Sequence, residues 1–188
     1  MNKQEGEPLA AASLTIPSTE SISQLFAEHY RRVLLAAYRI TGNMADAEDI
    51  AQALFLRLAS AERPIDNVAS YLHRAAINGA LDLLRRRRRV AMEPLEKAAN
   101  VASSSRESSP DSELSGRQLG DALRMVISEL APKAAEMFAL RYFEELGNKE
   151  IAALMGTSQT VVAVTLHNAR FRLKRRLIEM DRRINETR

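Results

Sequence analysis

Apolar residues recur every three or four positions over residues 22 to 90 and predict three amphipathic helices. The first runs over Ile22–Thr41, and Gly42 supplies a left-handed stop. Asn43 is the predicted cap of the second helix, whose first turn is acidic and so suits the helix dipole. The third helix is predicted from about Val68 through Arg87, with Asn67 as its candidate cap.

Helical spacing continues in the second half of the chain and predicts four more helices. An apolar stripe starts at Leu119 and ends at Ala131-Pro132, and the next helix closes near Phe143. Asn148 is a candidate cap for a short helix, and Ser158 is a candidate cap for the last one. The whole chain is therefore predicted to be all-α.

The last two helices fit a helix-turn-helix. Ala152 is small enough for a close helix approach, Gly156 permits a left-handed turn, and Val162 can bury against the first helix. A basic run follows on the last helix, and its natural counterpart is the DNA backbone. That run consists of Arg170, Arg172, Lys174, Arg175 and Arg176.

Charge divides the chain into two small domains and a spacer. Residues 22–90 and 117–188 each carry a net charge of plus four, whereas the serine-rich residues 91–116 carry minus three. Because this spacer has few large apolar side chains, it cannot bury enough surface to offset the entropy of ordering, and we expect a flexible linker. Residues 1–21, with a net charge of minus two, are expected to be a disordered or regulatory extension.

Composition excludes several kinds of chemistry. The 188 residues include no cysteine, so a disulfide framework, a thiolate zinc site and a cysteine nucleophile are ruled out. The histidines, His29, His73 and His167, are scattered and are expected to be surface or packing residues. No apolar run approaches the roughly 20 residues of a membrane helix. We expect no metal, no cofactor and no membrane insertion.

The second helix has an unusual outer face. Asp49, Gln52 and Phe55 lie three residues apart and therefore on one side, which is not the main apolar stripe. In one interpretation Phe55 simply packs on a neighbouring helix. In the other, the mixture of carboxylate, amide and aromatic ring forms a partner-binding face.

The third helix carries a polar stripe suited to nucleic acid. Cations attract phosphate, an aromatic ring stacks on a base, and an amide can read a base edge. The stripe consists of Tyr71, Arg74, Asn78, Asp82, Arg85 and Arg89. It ends in the five adjacent arginines 85–89, which give the helix terminus strong phosphate affinity.

Over about residues 22 to 180 the chain resembles the bacterial extracytoplasmic-function sigma factors. Four motifs carry the resemblance in the family's order: AEDIAQALFLRL (47–58), SYLHRAAINGALDLLRRRRR (70–89), LAPKAAEMFALRYFEELGNKEIAALMG (130–156) and HNARFRLKRRL (167–177). The spacer lies where the family has its interdomain linker. The resemblance implies a non-enzymatic factor that takes core RNA polymerase to the promoters of a stress or environmental-response regulon and assists melting.

The resemblance also implies roles for individual residues. One set matches the family surface that binds the clamp helices of the large polymerase subunit. This set is Asp49, Gln52 and Phe55. Those matching the minus-ten and promoter-melting segment are Tyr71, Arg74, Asn78, Asp82, Arg85 and Arg86. Asn78 aligns with a family residue that contacts an unstacked base, a contact its amide can make.

The recognition helix departs from the family pattern. Ala163, Thr165 and Asn168 occupy positions where the family usually has lysine or arginine, so we expect weaker or unusual minus-thirty-five readout. The DNA-facing positions by helix-turn-helix geometry are Ser158, Gln159, Thr160, Ala163, Val164 and His167. Backbone attraction is expected mainly from Arg170, Arg172 and Lys174.

The resemblance further implies an anti-sigma protein that covers the polymerase-binding surfaces. It also implies that the protein itself is cytoplasmic and associated with the nucleoid when active, and that an anti-sigma protein can hold it at the membrane. A stand-alone repressor would share the helix-turn-helix but would need no polymerase-binding face. An enzyme could use Asp46, Glu48 and Asp49 as metal ligands, but acids in a first helical turn are ordinary capping chemistry. No small-molecule substrate is expected.

Overall fold

The computed structural model describes residues 19–61, 65, 67–92 and 111–186. These residues form seven helices and no strand, which confirms the all-α prediction. The helices are α1 (Thr19–Thr41), α2 (Met44–Ala59), α3 (Val68–Met92), α4 (Asp111–Ser128), α5 (Pro132–Tyr142), α6 (Asn148–Met155) and α7 (Gln159–Glu186). None of the described helices is both long and apolar enough to cross a membrane.

Local sequence signals fix most helix ends. Gly42 ends α1 with a left-handed φ of 67°, and its N–H donates to the Tyr38 carbonyl. The Asn43 side chain accepts from the Asp46 N–H at 3.1 Å, and the Asn67 side chain accepts from the Ser70 N–H at 2.9 Å. These three residues therefore act as the sequence predicts.

The cap of α6 differs from the prediction. Asn148 is the first residue of the helix, and Gly147 precedes it in an extended conformation. The Gly147 N–H donates to the Glu150 carboxylate at 2.6 Å. Glycine lacks a side-chain acceptor, so a backbone cap of this kind is harder to recognise in a sequence than asparagine.

The helices at the ends of the spacer are longer than expected. α3 continues to Met92 instead of ending near Arg87, and α4 begins at Asp111, several residues before Leu119. The first and last residues of the predicted linker are consequently helical. The rest of the linker, residues 93–110, lies outside the described residues, as do residues 1–18 of the N-terminal extension.

Two groups of helices build the apolar core. In the first half α1 packs against both α2 and α3. The largest fully buried side chains of these three helices are Val33, Ile40, Leu58, Leu72, Ile77 and Leu81. In the second half α7 packs against α4, α5 and α6, around Val126, Ile127, Leu140, Ile151 and Val162. The halves meet where α3 packs against α4 and α5.

Ile77→Ala should destabilise the first half strongly. The Ile77 side chain is 0% exposed, so its truncation leaves a cavity, and we expect a loss of about 2 to 5 kcal/mol in the free energy of unfolding. Urea denaturation followed by circular dichroism measures it. Leu56→Ala is the matched control, because Leu56 is 71% exposed and its truncation should change stability by less than about 0.5 kcal/mol. Equal losses in both variants would contradict this description of the core.

Candidate nucleic-acid interface

The polar stripe of α3 lines a groove between the two halves of the molecule. The groove has a volume of about 1130 Å³. Residues of α3 on its wall are Tyr71, Arg74, Asn78, Asp82, Arg85, Arg86 and Arg89. The groove is also lined by residues 128–130 and Pro132, at the junction of α4 and α5, and by Ile50, Ala53, Leu54 and Arg57 of α2. The structure thus brings all members of the predicted stripe together on one surface, which a strand of nucleic acid could follow.

Arg74 is already bound inside this groove. Its Nε donates to Glu136 Oε1 at 2.8 Å, and its Nη1 donates to the Leu154 carbonyl at 3.0 Å. Glu136 is buried in α5, and Leu154 lies near the end of α6. The cation predicted to meet promoter DNA is therefore paired with two groups from the helix-turn-helix half.

The arginine run at the end of α3 is divided between paired and exposed cations. Arg85 donates to Asp82 at 2.7 Å, and Arg87 donates to Asp46 at 2.7 Å, which ties α3 to the first turn of α2. Arg86 and Arg89 are exposed. Fewer cations are thus available for phosphate than the five adjacent arginines suggest.

The outer face of α2 is only partly exposed. Asp49 and Gln52 face solvent, but Phe55 is 5% exposed, with its ring centroid 4.9 Å from that of Phe26 and 6.2 Å from that of Tyr30. Phe55 therefore packs on α1, as the packing interpretation expected. The large apolar side chain that this face does expose is Leu56, which the sequence analysis did not single out.

The helix-turn-helix has the geometry expected from its sequence. Gly156 adopts a left-handed φ of 62° between α6 and α7, and the Thr157 N–H donates to the Ala152 carbonyl at 2.9 Å. Ala152 and Val162 are buried. The Ser158 hydroxyl accepts from the Val161 N–H at 3.2 Å and so caps α7.

The predicted reading positions of α7 all face solvent. They are Ser158, Gln159, Thr160, Ala163, Val164 and His167. The three cations assigned to the DNA backbone, Arg170, Arg172 and Lys174, are exposed as well. One helix consequently presents a largely uncharged reading surface next to a basic segment.

The other two arginines of the basic run, Arg175 and Arg176, are paired with carboxylates. Arg176 donates to both carboxylate oxygens of Glu129, at 2.8 and 2.9 Å, and Arg175 lies 3.6 Å from Glu179. The hydrogen bond from Arg176 outweighs burial and holds the pKa of Glu129 below its ordinary value. Part of the basic run is therefore exposed, and Arg176 instead joins α7 to the turn between α4 and α5 through Glu129.

Residues from the two halves form a second polar cluster that the sequence analysis missed. His73 is buried, and its Nε2 lies 2.8 Å from Glu144 Oε2. Arg39 donates to Glu144 Oε1 at 3.1 Å and to the Phe143 carbonyl at 3.2 Å. Burial raises the pKa of Glu144, but hydrogen bonds and positive charge from His73 and Arg39 together lower it below its ordinary value. Pairs so far apart in the chain leave no periodic signal in one sequence.

Two family models match the chain. The model for Sigma-70 region 2 matches residues 25–90, and the model for Sigma-70, region 4, matches residues 120–173. The first contains α2 and most of α1 and α3, and the second contains α5, α6 and the first half of α7. Each predicted surface therefore lies within a matched region, except for Lys174, which directly follows the second one.

Several curated relatives align over most of the chain. RNA polymerase sigma factor CarQ of Myxococcus xanthus is 32% identical, over 86% of this chain and 92% of that protein. RNA polymerase sigma factor YlaC of Bacillus subtilis is 28% identical, over 84% of this chain and 92% of that protein. ECF RNA polymerase sigma factor SigE of Mycolicibacterium smegmatis is 31% identical over 82% of this chain, which spans 60% of the length of that relative.

Solved structures include more distant likenesses. CnrH in complex with the cytosolic domain of CnrY is 21% identical, with a TM-score of 0.48 over 87% of this chain and 91% of that chain. The sigma factor RpoE in complex with the anti-sigma factor NepR from Bartonella quintana is 18% identical, with a TM-score of 0.45 over 85% of this chain and 98% of that chain.

Substitutions of Ser158 can separate capping from base contact. Ser158→Ala removes the acceptor for the Val161 N–H and should lower the free energy of unfolding by about 1 kcal/mol. Ser158→Asn keeps a capping acceptor and should retain stability. Thermal unfolding is measured for both variants, and promoter binding is measured for core RNA polymerase combined with each of them. If Ser158→Ala were as stable as the parent protein, Ser158 would not be the cap of α7. If DNA binding were weakened in Ser158→Ala but retained in Ser158→Asn, the role of Ser158 would be to position α7 and not to contact a base.

Proposed function

The chain belongs to the extracytoplasmic-function sigma factors of RNA polymerase, and we propose that it directs core RNA polymerase to specific promoters and assists their melting. This proposal is supported by the order of the two matched regions along the chain. Region 2 contains the polar stripe of α3, and region 4 contains the exposed face of α7 that is predicted to read DNA. As an initiation factor, it acts without catalysing a reaction.

Core polymerase binds the exposed part of α2 in this proposal. Asp49 and Gln52 offer an acceptor and a bidentate amide, and the neighbouring Leu56 offers apolar surface. Phe55 contributes from beneath this face, because its ring holds α2 on α1. Exposed polar groups around an apolar side chain suit a protein interface better than a DNA contact.

The groove along α3 receives the minus-ten element. Tyr71 offers a ring for stacking, and Asn78 offers a donor and an acceptor for an unstacked base. Arg86 is exposed and attracts the phosphates directly, whereas Arg74 and Arg85 must first be released from Glu136 and Asp82 to do so. Melting needs no nucleotide hydrolysis if base capture offsets the unstacking of each flipped base, which costs a few kcal/mol.

Helix α7 reads the minus-thirty-five element mainly through neutral groups. The amide of Gln159 and the hydroxyls of Ser158 and Thr160 can contact base edges. The side chains of Ala163 and Val164 can contact a thymine methyl group. Because Ala163, Thr165 and Asn168 carry no charge, backbone attraction comes from Arg170, Arg172 and Lys174.

An anti-sigma protein is a further proposed partner. Large apolar side chains remain exposed on α1 and α2, among them Leu35, Tyr38, Met44 and Leu56. An inhibitor that buried them would also cover the polymerase-binding face. We place the protein in the cytoplasm, where core polymerase and promoter DNA are found.

Run-off transcription from a genomic promoter library, with core RNA polymerase present or absent, tests the function. We expect transcripts that depend on the protein, and their loss in the Asp49→Ala, Gln52→Ala double variant because it lacks the polar contacts to polymerase. Glu145→Ala changes an exposed residue outside the proposed interfaces and should retain the transcripts. If no new transcripts appeared and the free protein bound duplex DNA tightly, a stand-alone repressor would be supported instead.

The Arg170→Ala, Lys174→Ala double variant tests the attraction of α7 to the DNA backbone. Because the variant lacks two cations that neutralise phosphates, the slope of log K against log salt concentration for promoter binding by the polymerase complex should fall in magnitude by about two. Lys133→Ala removes an exposed cation from α5 and should leave the slope as it is. An unchanged slope in the double variant would refute the role of these two cations.

A further inference from the structure

The first three turns of α7 expose a surface that carries no lysine or arginine. The buried side of the helix is formed by Val162, Leu166, Ala169 and Leu173. At about 100° per residue, six exposed side chains fill an arc of about 180° on the other side. They are Gln159, Thr160, Ala163, Val164, His167 and Asn168. The first cation of the helix, Arg170, comes after all of them.

This surface lacks the group that reads guanine most strongly. The commonest specific contact to guanine is a bidentate one, in which arginine or lysine donates to both O6 and N7. His167 is exposed, but a neutral imidazole has a single N–H donor and cannot form both of these hydrogen bonds at once. A guanine in the element would therefore gain no bidentate contact from this arc.

Arg170 lies too far along the helix to supply that contact. It follows Ala163 by seven residues, which is about 10 Å along the helix axis. In a helix-turn-helix the N-terminal part of the recognition helix contacts base edges, so later turns leave the floor of the groove. Arg170 and the cations that follow it are thus suited to phosphates, which carry no sequence information.

Two amides at the edges of the arc are suited to adenine. Gln159 lies in the first turn of α7 and Asn168 in the third, and both are exposed. Within the part of the chain that the structure describes, neither amide has a hydrogen-bond partner. An amide of this kind donates to N7 of adenine and accepts from its N6 amino group.

Two apolar side chains between these amides are suited to thymine. Ala163 and Val164 are adjacent, and Val164 is 54% exposed. The 5-methyl group of thymine is the apolar group that a base pair presents in the major groove. Contact with it would remove the exposed Val164 side chain from water, which is favourable.

We infer that α7 selects a minus-thirty-five element made of A·T base pairs. Gln159 and Asn168 read adenine, and Ala163 and Val164 contact thymine methyl groups. The inference rests on the proposed function and names the class of DNA sequence that the helix-turn-helix recognises. Guanine is not selected at any position that α7 contacts, because no cation lies within reach of its edge.

Selection from a library of random duplexes tests the base preference. The full chain is incubated with the library, with core RNA polymerase in one arm and alone in the other, and the bound DNA is sequenced. The element read by α7 should consist of A·T pairs. Ala163→Arg and Asn168→Arg should each bring guanine into it, with a preference of about 5- to 150-fold over adenine at one position.

Ala153→Arg is the matched control for these two variants. It adds the same cation to an exposed position of α6, the helix that crosses the DNA backbone in a helix-turn-helix. Its phosphate attraction is independent of sequence, so the selected element should stay the same.

Base analogues in the selected element test the individual atoms. Uracil in place of thymine removes the methyl group and should weaken binding by about fourfold per methyl contact. 7-Deazaadenine removes the N7 acceptor and should weaken binding by about 2- to 13-fold. Val164→Ala should lose part of the sensitivity to uracil, and Asn168→Ala should lose part of the sensitivity to 7-deazaadenine. Fluorescence anisotropy of labelled duplexes measures each affinity.

Guanine selected by the parent protein at the positions that Ala163→Arg or Asn168→Arg alters would overturn the inference. Unchanged affinity for duplexes with uracil and 7-deazaadenine would overturn it too. If neither arm enriched an element that these variants alter, α7 would read no sequence and the inference would be wrong. If the A·T element were selected but core polymerase made no transcripts from it, the proposed function would fail while the base preference of α7 stood.

Discussion

The ion pair between Arg74 and Glu136 joins the polar stripe of α3 to the helix-turn-helix half of the molecule. Its guanidinium lies on the polar stripe of α3, and its carboxylate is buried in α5, so neither half can move away without leaving a charge unpaired. Around it lie the His73–Glu144 pair and the groove that follows α3. The buried apolar side chains of both halves belong to one continuous cluster, so the contact between the halves combines apolar packing with these ion pairs. Such a contact holds in water yet can be replaced by another set of charges.

Local chemistry explains how much of this structure could be predicted from the sequence. Gly42 adopts a left-handed φ, and the side chains of Asn43, Asn67 and Ser158 each accept a hydrogen bond from the backbone N–H three residues later. Each was therefore recognisable from its residue type and its neighbours. The pairs of Arg74 with Glu136 and His73 with Glu144 join residues more than sixty positions apart, and helical periodicity carries no information about them. The Gly147 cap was missed because glycine has no side-chain acceptor, whereas the neighbouring Asn148 does.

Phe55 shows why a residue's face on a helix does not settle its role. Sequence spacing placed its ring beside Asp49 and Gln52, away from the main stripe of α2. The structure turns that ring onto Phe26 and Tyr30, while Leu56, one residue later, is exposed. Two helices flank α2, so its apolar side chains fall into two buried rows instead of one. The strip proposed to bind polymerase is the exposed surface that remains between those rows.

The placement of cations on α7 and in the contact between the halves has a common consequence for DNA binding. Non-specific affinity for DNA rises with the number of phosphates that a protein neutralises. This chain lacks cations at Ala163, Thr165 and Asn168, and it pairs Arg74, Arg87 and Arg176 internally. Both features lower the attraction of the free protein for random duplex.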